Sequence, residues 1–273
     1  NDIAGATSAT LTLTNITTAD AASYRAKLMN PYGTNFTQNA TLTVLEEANY
    51  FPALAIADGP AAYWRLNETS GTKVNDYAGG YHGTTAGATV LGSTGPQPPA
   101  QVGFEAGNKA FTFNGTSTWV EAPSLNFNTN TMTFAAWIKV NAYHPTDLAG
   151  IVFSRGTAGA AGLHMVATGE LRYHWEGGGH YGFASSLIVP QGQWVFVALV
   201  VEPTRATLYM NDGNGLVSAV NNTTHNVIPG TDPMFIGRDR TDRVFDGDID
   251  EAMVFKRSLS LAEIQNLSLM GVS

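Results

Sequence analysis

Cysteine is absent from all 273 residues, which excludes disulfides, thiolate metal sites and a cysteine nucleophile. Charge is scarce too: only 13% of the residues are charged, and 14 basic residues face 22 acidic ones. A net charge of −8 without any basic cluster excludes a nucleic-acid surface, because neutralising phosphates takes grouped Lys and Arg. No apolar run approaches the ~20 residues that span a bilayer, and the N-terminus lacks a basic segment followed by an apolar one. The chain reads as a mature piece of a longer exported protein, extracellular or on a cell surface. Abundant instead are 29 glycines, 10% aromatic residues, and Thr and Asn, a composition suited to short strands and tight turns.

Residues 1–45 alternate apolar and polar positions in three runs: Leu11 to Leu13, Tyr24 to Met29 and Phe36 to Val44. Leu11 through Tyr24 resembles the closing strands of an immunoglobulin-like domain, with Tyr24 as the tyrosine corner and Ala26 at the disulfide position. Such a domain has about seven strands. The resemblance therefore implies a partial module whose missing half lies on another chain segment.

Residues 46–60 read as a mildly helical linker ended by Gly59-Pro60. From Ala61 to Ser273 short strands follow one another, which implies a β-sandwich or jelly roll. Trp194 to Val201 is apolar on both alternating faces and so belongs at the centre of a sheet. Ser260-Leu261-Ala262-Glu263 forms a capping box, and Leu261, Ile264 and Leu267 give the helix it starts an apolar stripe, with cover expected near Ala252 and Val254.

Phe245 to Phe255 holds four carboxylates, Asp246, Asp248, Asp250 and Glu251, and runs into an apolar strand. Extended backbone places Asp246, Asp248 and Asp250 on one face, with Ala252 next on that face. Three readings remain open: a solvated turn pairing with Arg238, Arg240 or Arg243, a set of oxygen ligands for Ca²⁺, or direct ligand contact. For sugar recognition, which needs an aromatic face and planar polar groups, the best local source is Arg172 to Tyr181. Arg172, His174, Trp175, His180 and Tyr181 are its candidate contacts, and Tyr143 lies on a second aromatic loop. Tyr173 and Trp175 suit a core equally well. Trp64, Trp137 and Trp194 lie in strand patterns and read as core.

Four segments in order carry a broader resemblance: Pro60 to Gly71 with Asp76 to Gly79, Ala110 to Gly115, Met132 to Lys139, and Phe245 to Glu251 running into Ser258 to Ile264. Together they resemble bacterial laminin-G-like, concanavalin-A-like jelly-roll domains over about residues 49–273. The resemblance implies an all-β fold, a concanavalin-A-like jelly-roll β-sandwich with a short C-terminal helix, preceded here by the partial immunoglobulin-like β-sandwich. It further implies a non-catalytic carbohydrate-binding module of a larger secreted protein, with a polysaccharide or glycan as partner. By similarity to glucanases of this fold, a structural Ca²⁺ is expected at Asp250 and Gly107, with Asp76 or Asp248 adding oxygens. The paired outer glutamates that those glucanases use for catalysis are missing. An adhesion or spacer module without a sugar site, and a glycan-cleaving enzyme, are the alternatives.

Overall fold

The computed structural model describes the chain except residues 1, 4, 14–19, 43–50, 146–147, 158, 177–179 and 270–273. It divides into two compact units, Asn1–Asn49 and Tyr50–Ser273.

In the first unit β1 (Ala22–Tyr24) pairs with β4 (Ala40–Leu42), and β2 (Lys27–Asn30) with β3 (Gly33–Phe36). Residues 11–13 are not a strand, and each of the other two expected strands is broken. The break has a local cause: Ala26 N donates to Thr37 Oγ1 at 2.9 Å, while Thr37 N donates to Ala26 O at 3.0 Å. A side-chain hydroxyl thus takes over a ladder bond and splits the hairpin in two. Tyr24 does make the expected corner bond, donating its hydroxyl to Asp20 O at 2.7 Å. The described strands of this unit form two separate ladders, with Leu28, Met29 and Tyr32 exposed.

The second unit opens with helix α1 (Phe51–Ala57), within the stretch read as a linker, followed by β5 (Ala62–Trp64), β6 (Lys73–Val74), β7 (Gly83–Ala86) and β8 (Val90–Thr94). Next come β9 (Lys109–Asn114), β10 (Trp119–Ala122), β11 (Met132–Ala142), β12 (Ala149–Arg155), β13 (Ala160–Met165) and β14 (Leu171–Trp175). The chain ends with β15 (Trp194–Glu202), β16 (Arg205–Asn211), β17 (Leu216–Asn221), β18 (Met234–Ile236), β19 (Asp246–Phe255) and helix α2 (Leu261–Leu269). The strands form two antiparallel sheets. One has seven strands, in the order β14-β13-β12-β18-β10-β7-β6; the other has eight, β17-β16-β15-β11-β19-β9-β8 with β5 beside β19.

The main core lies between the sheets and contains Val195, Val197, Leu199 and Val201 of β15. The alternate residues Phe196, Ala198 and Val200 point the other way, into a second cluster with Phe51, Phe104, Trp137, Ile264 and Leu267. Two-sided burial explains why this strand is apolar throughout: helices α1 and α2 cover its outer side. The capping box forms, with Ser260 N donating to Glu263 Oε2 at 2.6 Å and Glu263 N to Ser260 Oγ at 3.3 Å. Leu261, however, is 54% exposed, and α2 packs on Met253 and Phe255 rather than on Ala252 and Val254, which face the main core.

The run Phe183 to Val189, which its apolar pattern reads as a strand, makes a single bridge, between Ile188 and Glu170. Ser185 Oγ donates to Leu171 O at 2.5 Å and Ser186 N to Glu170 Oε1 at 2.7 Å, so side chains take over part of the ladder, beside the backbone bonds Leu171 N to Leu187 O and Val189 N to Gly169 O. Ser186 also adopts φ 62°, outside strand geometry.

Candidate functional site

The acidic strand is bulged, which undoes its simple alternation. Trp137 of β11 faces Asp250 while Ala135 faces Met253, so β19 carries an extra residue at Glu251, whose φ is 51°. Ile249 and Ala252 face the main core, and Asp250 and Glu251 both lie fully buried between them in sequence. Glu251 accepts hydrogen bonds from the Tyr63 hydroxyl and, at 3.4 Å, from Arg65 Nε. Arg65 also binds Glu105, and Asn108 Nδ2 donates to Asp250 Oδ2 at 2.7 Å. Burial raises the pKa of Asp250 and of Glu251, and the neighbouring Glu251 charge raises Asp250 further.

This buried cluster holds three carboxylates against one guanidinium. Asp250 Oδ1 and Glu105 Oε2 are buried with no hydrogen-bond partner, a deficit that a hard cation would satisfy. Among the described residues no three His, Asp or Glu side chains are grouped to hold a metal. A Ca²⁺ here would need backbone carbonyls, such as that of nearby Gly107, to complete its oxygen shell.

The other expected metal ligands have different partners. Asp248 takes Lys139 Nζ at 2.7 Å and the Thr112 hydroxyl at 2.5 Å. The Asp76 carboxylate accepts four backbone N–H groups, from Tyr63, Ala78, Gly79 and Tyr81, at 2.7–3.0 Å. It serves as a clamp that fastens the 76–81 loop to β5. Arg243 pairs with Asp239 rather than with the acidic strand.

The Arg172 to Tyr181 hairpin splits between the two faces of the seven-stranded sheet. Tyr173 and Trp175 are fully buried in the main core, so Trp175 is no sugar platform; its indole N–H donates to Asn226 O at 2.7 Å. His180 is buried as well, stacked on Tyr173 with ring centroids 5.8 Å apart and 4.4 Å from His225. Burial holds both imidazoles below their usual pKa, His225 at about 4. The tip at 177–179 and the Tyr181 side chain lie outside the described residues.

Arg172 and His174 point to the opposite, outer face. A row of cross-strand partners runs along it from Glu121 through Phe235, Phe153 and Gly162 to His174. Two positions away on their strands, on that same face, stand Trp119 and Arg172, the latter opposite His164. Arg172 is held by Glu170 at 2.6 Å, and Arg155 and Arg243 flank the buried Asp239 at 3.3 and 3.2 Å. Burial, with the positive charge of His174, Arg172, Arg243 and Arg155 around it, pushes the His164 imidazole down to about 3.

Arg238 to Val244 forms a tight hairpin across this sheet, with Asp239 N donating to Arg243 O at 3.2 Å. Only glycine permits that crossing at Gly150, where a Cβ would stand 2.2 Å from the backbone of Arg238 and Asp239. The far side of the hairpin helps to wall a pocket of about 400 Å³. Tyr143, His144, Asn114, Thr116, Asp242 and Asp246 line it. Tyr143 is fixed by a 2.7 Å bond from its hydroxyl to Val189 O, and His144 Nε2 lies 3.0 Å from Asp242 O. Of the residues singled out in the sequence, the pocket thus unites Tyr143 with Asp246. His144, Asp242, His164, Trp119 and the arginines of the outer face lie on separate segments that only the sheet order brings together.

Comparison with known proteins gives a consistent picture of the second unit. A family model described as the concanavalin A-like lectin/glucanases superfamily matches residues 114–265, more than half of the chain. No curated protein sequence matches. Similar solved structures include domain 4 of AbnA, a GH43 extracellular arabinanase from Geobacillus stearothermophilus, in complex with arabinotriose. It is 19% identical with a TM-score of 0.51, over 77% of this chain and 98% of that one. Trypanosoma rangeli sialidase in complex with sialic acid is 14% identical with a TM-score of 0.57, over 79% of this chain but 34% of the sialidase. The botulinum neurotoxin serotype D binding domain is 15% identical with a TM-score of 0.55, over 77% and 51%. At such identities the likeness establishes the fold.

Proposed function

Because the chain belongs to the concanavalin A-like lectin/glucanases superfamily, we propose that it is a non-catalytic carbohydrate-binding module of a larger secreted or surface bacterial protein, stabilised by calcium. The observation that carries the reading is the pocket of about 400 Å³ where Tyr143 and His144 meet Asp242 and Asp246. Its volume suits a single sugar residue: small-ligand pockets start at about 300 Å³. Two carboxylates accept hydroxyl protons and repel anions, so the ligand is a neutral sugar. The AbnA domain, matched along almost its whole length, is bound to arabinotriose, which makes that oligosaccharide the first to test.

The placement of three carboxylates of β19 supports the non-catalytic reading. Asp248 is tied to Lys139, Asp250 to Asn108 and Glu251 to Tyr63 and Arg65. Glycoside hydrolysis needs two carboxyl groups flanking a bond at about 5–10 Å separation; these three are spent inside the protein, and Asp242 and Asp246 of the pocket are read as acceptors for sugar hydroxyls. Calcium at Asp250, with Glu105 and the Gly107 carbonyl, would neutralise the excess buried charge and hold the bulge of β19; its role is structural.

The test is calorimetric titration of the whole chain with arabinotriose and a panel of neutral oligosaccharides, beside Asp246→Asn. Binding that Asp246→Asn weakens at least tenfold supports the pocket. Absence of binding to every glycan on the panel sinks the module reading.

A further inference from the structure

Helices α1 and α2 cover the outer face of the eight-stranded sheet only in part. Ala135, Trp137, Phe196 and Ala198 lie in the cluster beneath them. Past Trp137 and Phe196 the side chains of that face run in two cross-strand rows, half-buried or exposed except at Asp248. Asn114, Asp246 and Ala142 are register partners in the outermost row, and all three line the pocket. Thr112, Asp248, Lys139 and Trp194 are register partners in the next, one pleat repeat inward on the same face. The pocket therefore borders this face, with the second row beside it.

The second row is tied together from end to end. The Ser93 hydroxyl of β8 lies 2.6 Å from that of Thr112, which donates to Asp248 at 2.5 Å. Lys139 Nζ meets Asp248 at 2.7 Å and lies 5.5 Å from the centre of the Trp194 ring. Trp194 differs from the other four tryptophans. The indole N–H groups of Trp64 and Trp175 are bonded to Tyr81 O and Asn226 O, and those of Trp119 and Trp137 are closed off from solvent. The Trp194 ring is half-buried, and its N–H has no partner among the described residues and is not sealed. An indole with an edge in solvent offers a sugar an apolar surface and a hydrogen-bond donor together.

We propose that Trp194 is a second contact for the glycan of the pocket, so that a neutral oligosaccharide seated there continues across the outer face of the eight-stranded sheet to this ring. The inference rests on the pocket binding a sugar. From Asp246 to Trp194 the path crosses two strand intervals and one row, about 10 Å by about 7 Å. One sugar ring in the pocket cannot cover that span, and a short chain can. The Lys139–Asp248 pair leaves no net charge on the way. The ligand is thus an uncharged chain recognised along its length rather than a single terminal sugar.

The whole chain is titrated with arabinose and xylose oligosaccharides, each series running from the monosaccharide to the tetrasaccharide. In a series that binds, affinity is expected to rise at least tenfold from the monosaccharide to the trisaccharide. Trp194→Ala should remove that gain and leave the monosaccharide within twofold. Trp194→Phe, which keeps a ring and removes the N–H, should fall in between while keeping the parent's melting temperature. Tryptophan fluorescence reads the contact itself: saturating trisaccharide should shield the parent from acrylamide quenching, the monosaccharide should not, and Trp194→Phe should lose the shielding. Affinity that does not grow with chain length, or trisaccharide binding unchanged in Trp194→Ala, overturns the second contact and leaves the pocket reading intact. Affinity that grows with length without any shielding also overturns it, because the chain then runs elsewhere. Failure of every sugar in both series removes the pocket and the second contact together.

Discussion

Individual side chains here do work that their sequence neighbourhood does not announce. Gly150 sits in an ordinary strand pattern, yet it is where the 238–244 hairpin crosses the sheet. Gly150→Ala should force that backbone away, destabilise the fold by about 1–3 kcal/mol, as overpacking does, and weaken ligands at the pocket; denaturant melts and titrations check it. Tyr63 is similar: its hydroxyl is a partner of the buried Glu251, and Tyr63→Phe leaves that carboxylate short of a donor at a cost of about 1–3 kcal/mol. Nothing local in Ala62-Tyr63-Trp64 reveals a bond to a residue 188 positions away. Asp250 was legible as a special carboxylate from the acidic run, but its companion Glu105 was not. Loop residues become ligands or partners only once the sheet order is known.

Elements were legible where burial dictates the pattern. Strand β15 reads clearly from Trp194 to Val201 because an apolar residue is required on either side, and α2 reads from its capping box. Edge strands such as β8 and β17 escape, since Val90 and Val217 are largely exposed and the pressure for alternation is lost. The bulge in β19 escapes for another reason: one extra residue reverses the facing of everything after it, and a period-two count carries the error into Ala252 and Val254. The helix offers a direct check. Leu267→Ala should cost about 2–5 kcal/mol, as for other buried leucines, whereas Leu261→Ala on the exposed side should change stability by less than about 0.5 kcal/mol. Equal losses from the two would contradict the observed facing of α2.

For the whole molecule, stability depends on histidines held neutral and on carboxylates held near charge excess. His164 binds its proton only near pH 3 in the fold but near 6.5 when unfolded, so below about pH 6.5 the unfolded chain takes up more protons. Stability is therefore lost as pH falls from about 6.5 toward 3, by about 3 kcal/mol at pH 4 from this residue alone. His225, His180 and His174 act in the same direction. Chemical denaturation at pH 7, 5.5 and 4 should show a flatter acid loss in His164→Gln; a parallel profile would contradict it. Asp250 and Glu251 have the opposite sign: with raised pKa values they favour the fold as pH falls, and destabilise it as pH rises through those values. Calcium should abolish that alkaline cost, so a chelator should lower the melting temperature of the parent at pH 8 and leave Asp250→Asn unmoved. An unchanged parent melt removes the metal proposal.

The 238–244 hairpin has a consequence for how such a module diversifies. A single short turn supplies Asp242 and Val244 to the pocket wall and carries Arg238, Asp239 and Arg243 on its other side. Changing the length or charge of that turn would reshape the pocket wall while the strands of both sheets stay as they are. Relatives that share the sheets but differ in this turn should therefore differ in what the pocket accepts.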